Sequence, residues 1–483
     1  MEQNEQFLAV AESLKPVLHT RQVRPVEDAY RTAVLHKGDV LCLDFGSHLV
    51  GKIALKLGYT GSHPDAPAWL RLKFAERLCE LSENAEDYHG WISTGWIQQE
   101  QIHVDVLPAV LDLPRRYAFR YLQIEVLDVS SKFCLKVEDA VCTATTSADE
   151  SKLAPLVGGE LDRKLDRVAC NTLASCMQDV FEDGPKRDRR LWIGDLRMQA
   201  LANYETYRND DLVKRCLYLF AGSTLPGGRV GACVFTEPEV EVDDTVMFDY
   251  SLFFLPTLLD YYEATGDLLT LADLAPTGFQ QLKTVKSYFD GDLVRDSDIL
   301  GWCFVDWNLH LNKQASAQGI YLYCLKAAIE IAQILQDSRL EALKADYLAK
   351  KAAAEQLWNG EFYISGENRQ ISWASQVWMV LGGAAHGNAA LLERLETCPD
   401  AQKMITPYMY HNYIDALLSA GQKEKAMTVL REYWGGMLQQ GADTFWELYD
   451  PENPDASPYG GTIVNSYCHA WSCAPAYFLR KFR

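Results

Sequence analysis

The stretch TTSADESKLAPLVGGE (145–160) separates two hydrophobic periods, and the change of period decides the fold class. Upstream, VLCLDFG (40–46), LVGKIALKL (49–57), FRYLQIEVL (119–127) and FCLKVEDAVCTA (133–144) alternate or run apolar, with β-branched and aromatic residues between Gly, Pro, Asp and Ser clusters. That pattern predicts antiparallel strands packed as a β-sandwich. Downstream, Leu161, Leu165, Val168, Ala169, Thr172 and Cys176 follow helical spacing and define one stripe. Helical patterns recur over 196–208, 248–267, 319–336, 340–358 and 409–421, with stop signals at Gly266, Gly360 and Gly421. Two domains are therefore expected, an N-terminal β-sandwich over 1–150 and a large all-α domain over 151–483. Paired helices of this length close into a toroid or stack into a solenoid, and periodicity does not separate the two. ERLCELSENAE (76–86) fits either a strand or a short helix.

The chain carries a formal charge of -20 and 48% hydrophobic residues, with 12 Trp and 24 Tyr. This balance excludes nucleic acid and anionic membrane as partners, because both require clustered Lys and Arg. The N-terminal MEQNEQFLAVAESLK has no basic region followed by an apolar run, and no segment approaches the length of a membrane span, so a cytoplasmic location is expected. Thirteen cysteines, without a CxxC pair or a Cys/His ladder, read as reduced core residues; neither a metal nor a cofactor is implied. GSHLVGKI (46–53) resembles a phosphate loop but lacks the Ser or Thr that would hold magnesium, and it runs into an alternating segment, so it reads as a hairpin.

Three acidic-aromatic clusters carry chemistry. EDGPKRDRRLWIGD (182–195) places Asp183, Asp188 and Asp195 beside Trp192, a setting that raises a carboxyl pKa. Composition alone leaves it balanced between a solvated turn and an active-site wall. DTFWELYDPENPDASPYGGT (443–462) sets Glu447 next to Trp446, and FVDWNLH (304–310) sets Asp306 next to Trp307. SYCHAWS (466–472) adds His469 and Trp471. Carboxylates repeated beside tryptophans are what glycoside chemistry needs: one acid protonates the leaving oxygen, another activates water, and indoles cover the apolar face of the sugar.

Taken in this order, DGPKRDRRLWIGD (183–195), FVDWN (304–308), TFWEL (444–448) and SYCHAWS (466–472) resemble the bacterial α-L-rhamnosidases of glycoside hydrolase family 78. DVLCLDFGSHLVGKIALKL (39–57), ERLCEL (76–81) and RRYAFRYLQIEV (115–126) look like the jelly-roll-like sandwich that precedes the catalytic barrel in that family. The resemblance implies an (α/α)6 barrel and inverting, metal-independent hydrolysis of a terminal α-L-rhamnose. It implies Asp188 as general acid, where the family usually has Glu, and Glu447 as general base. It also implies Asp183, Asp195, Trp192, Asp306, Trp307 and His469 as sugar contacts, beside the flat faces of Trp446 and Trp471. In place of the Cys common after the first Asp, this chain has Gly184. The expected partner is a small rhamnosylated glycoside or oligosaccharide, with pairing into a homodimer left open. Two alternatives stand beside this reading: a barrel glycosidase for another sugar, and a carbohydrate-binding homologue without catalysis.

Overall fold

The computed structural model describes residues 2–296 and 303–482. A short strand β1 (Glu2–Gln3) and helix α1 (Glu5–Ser13) come first, followed by β2 (His19–Val23), β3 (Val40–Gly61), β4 (Ala68–Ala75), β5 (Gln99–Val104), β6 (Ala109–Asp112), β7 (Tyr117–Asp128) and β8 (Phe133–Thr146). Strands β2 to β8 form one antiparallel sheet in the order β2-β8-β3-β7-β4-β5, with β6 also on β3. Their inward residues, among them Phe45, Leu55, Leu72, Phe119, Ile124 and Leu135, close around one buried core.

The hairpin expected at 46–53 is replaced by an irregularity inside a single 22-residue strand. Gly46 takes φ +83°, and Asp44 Oδ1 accepts from its amide at 2.7 Å. The bulge bends β3, so that its first half pairs with β7 and its second half with β8 and β6. The ambiguous 76–86 segment forms two short 3-10 turns, Leu78–Ser82 and Ala85–Asp87. The first residues leave the β domain altogether. Helix α1, capped by Asn4, packs on a helix of the following unit, and β1 pairs with Ser223–Thr224 of that unit.

Twelve helices follow among the described residues: α2 (Glu160–Cys176), α3 (Ile193–Glu205), α4 (Asp210–Gly222), α5 (Phe248–Thr265), α6 (Leu268–Thr284), α7 (Gln314–Ile334), α8 (Leu340–Ala354), α9 (Trp373–Gly382), α10 (Asn388–Glu396), α11 (Pro407–Ser419), α12 (Lys423–Gln439) and α13 (Ala474–Lys481). On α2 the buried stripe is Leu165, Ala169, Thr172 and Cys176, while Val168 flanks it half-buried and Leu161 is exposed. The helices α3, α5, α7, α9 and α11 touch in succession, and α13 returns to α3. That last contact makes the array a closed ring, not a solenoid. The inner helices α3 and α5 are buried on nearly every side, which explains their all-round apolar character, while α2, α4, α6, α8, α10 and α12 form the outer layer. Gly266 ends α5 in the left-handed conformation that the stop signal predicts. No described helix is long and apolar enough to cross a membrane.

Candidate active site

The loops that precede the inner helices, together with one segment of the β domain, enclose a cavity of about 280 Å³. Asp183, Asp188, Trp192, Asp195, Trp307, Glu447, His469 and Trp471 all line it. The chain brings them together through backbone ties: Ala470 N donates to Asp183 O at 2.9 Å, Glu447 N to Ser466 O at 3.0 Å and His469 N to Phe445 O at 2.9 Å. Trp471 Nε1 donates to Glu447 O at 2.9 Å. Two glycines make these approaches sterically available. A Cβ on Gly184 would lie 2.5 Å from both Arg187 O and Ser466 Oγ, and one on Gly194 would collide with the Tyr250 ring. Gly184 thus stands where this packing has no room for a Cys.

Asp183 ties its loop back on itself. Its carboxylate accepts from the amides of Asp188 at 3.0 Å and Arg190 at 3.1 Å, so it shapes the turn that presents Asp188. Burial and then repulsion from Asp188 push Asp183 up to about 8. Burial also raises Asp188, against the opposing pull of Arg187 and Arg190. Asp195 is raised well above its ordinary value by burial, Asp183 and Glu447. His469 is held well below its ordinary value by burial and Arg187, and is therefore neutral.

Glu447 is held by donors from three directions. Arg187 NH2 reaches Oε2 at 2.6 Å, Trp307 Nε1 reaches Oε1 at 3.1 Å, and the Tyr459 hydroxyl donates to the same Oε1. Arg187 also contacts Asp188 at 3.5 Å and donates to Val464 O, so one guanidinium spans both acids. Asp195 Oδ1 and His469 Nδ1, 3.7 Å apart, and Trp192 Nε1 are buried without a hydrogen-bond partner among the described residues. Such atoms are costly unless a ligand pairs with them, and all three belong to the cavity wall.

Two expected sugar contacts stand elsewhere. Asp306 is buried behind the wall, its oxygens accepting from Trp307 N at 2.8 Å and Ile405 N at 2.9 Å. Burial pushes it up to about 6. Asp249 at the start of α5 does similar work: it accepts from the amides of Phe304 and Val305, and Val305 has φ +57°. A β-branched residue adopts that conformation only where its surroundings impose it. These two carboxylates thus hold the loop that presents Trp307. Trp446 is likewise outside the cavity, packed against Tyr449 and Tyr467 with the Arg77 guanidinium 4.0 Å over its ring.

Sequence reasoning passed over Arg187, Tyr459 and the β-domain pair Trp91 and Trp96, all of which line the cavity. Arg187 adjoins Asp188, and HGWISTGW (89–96) places two indoles in a Gly-rich loop, which were the available signals. Among the described residues no group of three or more His, Cys, Asp or Glu could hold a metal ion.

A helical ring whose loops gather paired carboxylates and indoles into one cavity defines a six-hairpin glycosidase. Residues 160–482 match the bacterial α-L-rhamnosidase six-hairpin glycosidase domain, and residues 11–144 match the α-rhamnosidase N-terminal domain of glycosyl hydrolase family 78. The chain belongs to this family and is a glycoside hydrolase of the α-L-rhamnosidase type. It is 44% identical to the rhamnosidase from Klebsiella oxytoca with rhamnose bound, covering 99% of both chains at a TM-score of 0.96. Its fold is also similar to a family 78 rhamnosidase of Bacillus sp. GL1, at 23% identity and TM-score 0.78, covering 93% of this chain and 47% of that one. The α-L-rhamnosidase of a Dictyoglomus thermophilum structure shares the fold at 16% identity and TM-score 0.72, covering 96% of this chain and 51% of that one. A search of curated proteins found no match.

Proposed function

We propose that this chain removes terminal α-L-rhamnose from small glycosides or oligosaccharides by a single displacement with inversion. The observation that carries this reading is that Asp188 and Glu447 line the same cavity, with Arg187 joined to both. Asp188, whose carboxyl burial raises against the pull of Arg187 and Arg190, donates its proton to the glycosidic oxygen. Glu447, held by Arg187, Trp307 and Tyr459, takes the proton of a water on the opposite face. Asp195, Trp192 and His469 supply unpaired polar atoms for the sugar hydroxyls, and the rhamnose-bound Klebsiella oxytoca relative favours rhamnose as that sugar. Asp183 serves the acid through the backbone.

The test is the first-formed anomer. Proton NMR of an aryl α-L-rhamnoside turnover should show β-L-rhamnose before mutarotation; α-L-rhamnose appearing first would replace inversion with a covalent intermediate. A panel of aryl glycosides run alongside separates rhamnose from other sugars.

A further inference from the structure

The floor and the mouth of the cavity differ in kind. Asp195 at 2%, His469 at 3% and Glu447 at 6% exposure form a closed polar floor, whereas Trp91 at the mouth is 68% exposed. A volume of about 280 Å³ lies just below the roughly 300 Å³ at which pockets begin to enclose drug-sized ligands. It therefore suits one sugar ring, and the group attached to that sugar must lie against the mouth.

The part of the mouth that the β domain supplies is tied to the helical ring. Tyr88 OH donates to Tyr459 O at 2.6 Å, and Tyr88 and Ile97 pack with Tyr459, Ile463 and Val464 in a separate buried cluster. Trp91 is tied at its edge, Nε1 donating to Pro458 O at 2.8 Å, with its ring 5.5 Å from Tyr459. On the side of the general acid, the Arg190 guanidinium lies 5.9 Å over Trp96. The side chains that the β domain offers are Trp91, Ile92 and Trp96, and the indole N–H of Trp91 is already committed. Such a surface offers flat apolar faces with the Trp91 donor already used, which suits a flat apolar ring.

We infer that Trp91 and Trp96 of the β domain form the aglycone platform of this enzyme and select flat aromatic aglycones. The inference rests on the rhamnosidase reading above. Its test compares kcat/KM for a fused-ring aryl α-L-rhamnoside with that for methyl α-L-rhamnoside, taken as a ratio so that leaving-group ability cancels between variants. Trp91→Ala should lower the ratio about tenfold, mainly through KM of the aryl substrate, and Trp96→Ala should lower it in the same direction. Trp91→Phe, which keeps a flat ring, should hold the ratio within about threefold of wild type. A ratio unchanged in both alanine variants, with the wild type active on both rhamnosides, overturns the platform and leaves the rhamnosidase reading intact. A wild type that cleaves other aryl glycosides and neither rhamnoside overturns both.

Discussion

Lys186 and Asp188 are two residues apart in the same loop, yet their side chains obey opposite electrostatic rules. Lys186 points away from the cavity into the contact with the β domain. There its Nζ lies 2.6 Å from Glu80 and 3.4 Å from Glu76, and Glu76 accepts from His48 at 3.0 Å. Although burial opposes it, Lys186 is raised by Glu80 and Glu76, and His48 is raised by Cys468 and then by Glu76. Glu76 is lowered by Lys186 and His48, while burial and Glu76 carry Glu80 up to about 7 despite the ion pair. Two acids and two bases thus compensate one another out of water. On the cavity side, Asp183, Asp188 and Asp195 bring three acids together, with Arg187 against Asp188, and burial raises all three. The paired set anchors the loop to the sheet; the uncompensated set is held where burial favours the protonated form, at the expense of stability.

Breaking the uncompensated set should cost chemistry. Asp188→Asn and Glu447→Gln should each lower kcat on an aryl α-L-rhamnoside by about 10³-fold. For Asp188→Asn the thermal midpoint should stay level or rise, because a half-buried acid is replaced by a neutral isostere. A drop in midpoint with activity retained would reverse the comparison. Breaking the paired set should cost folding. Lys186→Met leaves Glu76 and Glu80 facing each other without their cation, and should destabilise the chain by about 3–5 kcal/mol in urea unfolding. A loss below about 1 kcal/mol would mean that the network contributes nothing net.

Titration sharpens the contrast further. The folded pKa of Asp183 is raised from 3.8 to about 8, so the stability tied to its protonated form is present below the unfolded value and is lost as pH rises between them. The stability of wild type relative to Asp183→Asn should therefore fall between about pH 4 and pH 8, at up to about 1.4 kcal/mol per pH unit, as read from unfolding midpoints. A difference independent of pH would remove Asp183 from the titrating set. The smallest effect is expected at His469. His469→Ala should weaken inhibition by free rhamnose about tenfold, in line with one hydrogen bond of roughly 1–1.5 kcal/mol. Unaltered inhibition would show that the buried Nδ1 does not meet the sugar.

The sheet-then-helix order was legible because periods of two and 3.6 record which face of each element meets water. It was misread at 46–53, where Gly46 and Asp44 build a bulge, because a bulge and a hairpin share their turn residues. The site was legible as clusters of acid beside tryptophan, since those residue types together suit one chemistry. Which of them face the sugar was not legible. Asp306 and Trp446 match the same pattern as Trp307 and Glu447 but point into the packing behind the wall. Trp91 and Trp96 belong to a different domain and carry no acid beside them to mark them.

By itself the sequence determined the two periodicities, the acid spacing at 183, 188 and 195, and the family, because each is a local property of chain and composition. Only the tertiary structure decided that α13 returns to α3 to close the ring, and that Arg187 meets Glu447 across 260 positions. The tertiary structure also turned Lys186 toward the sheet while its neighbours Asp183 and Asp188 face the cavity. These outcomes depend on which distant surfaces come to share a desolvated space, and a desolvated charge is paired or left reactive according to neighbours that no local pattern names.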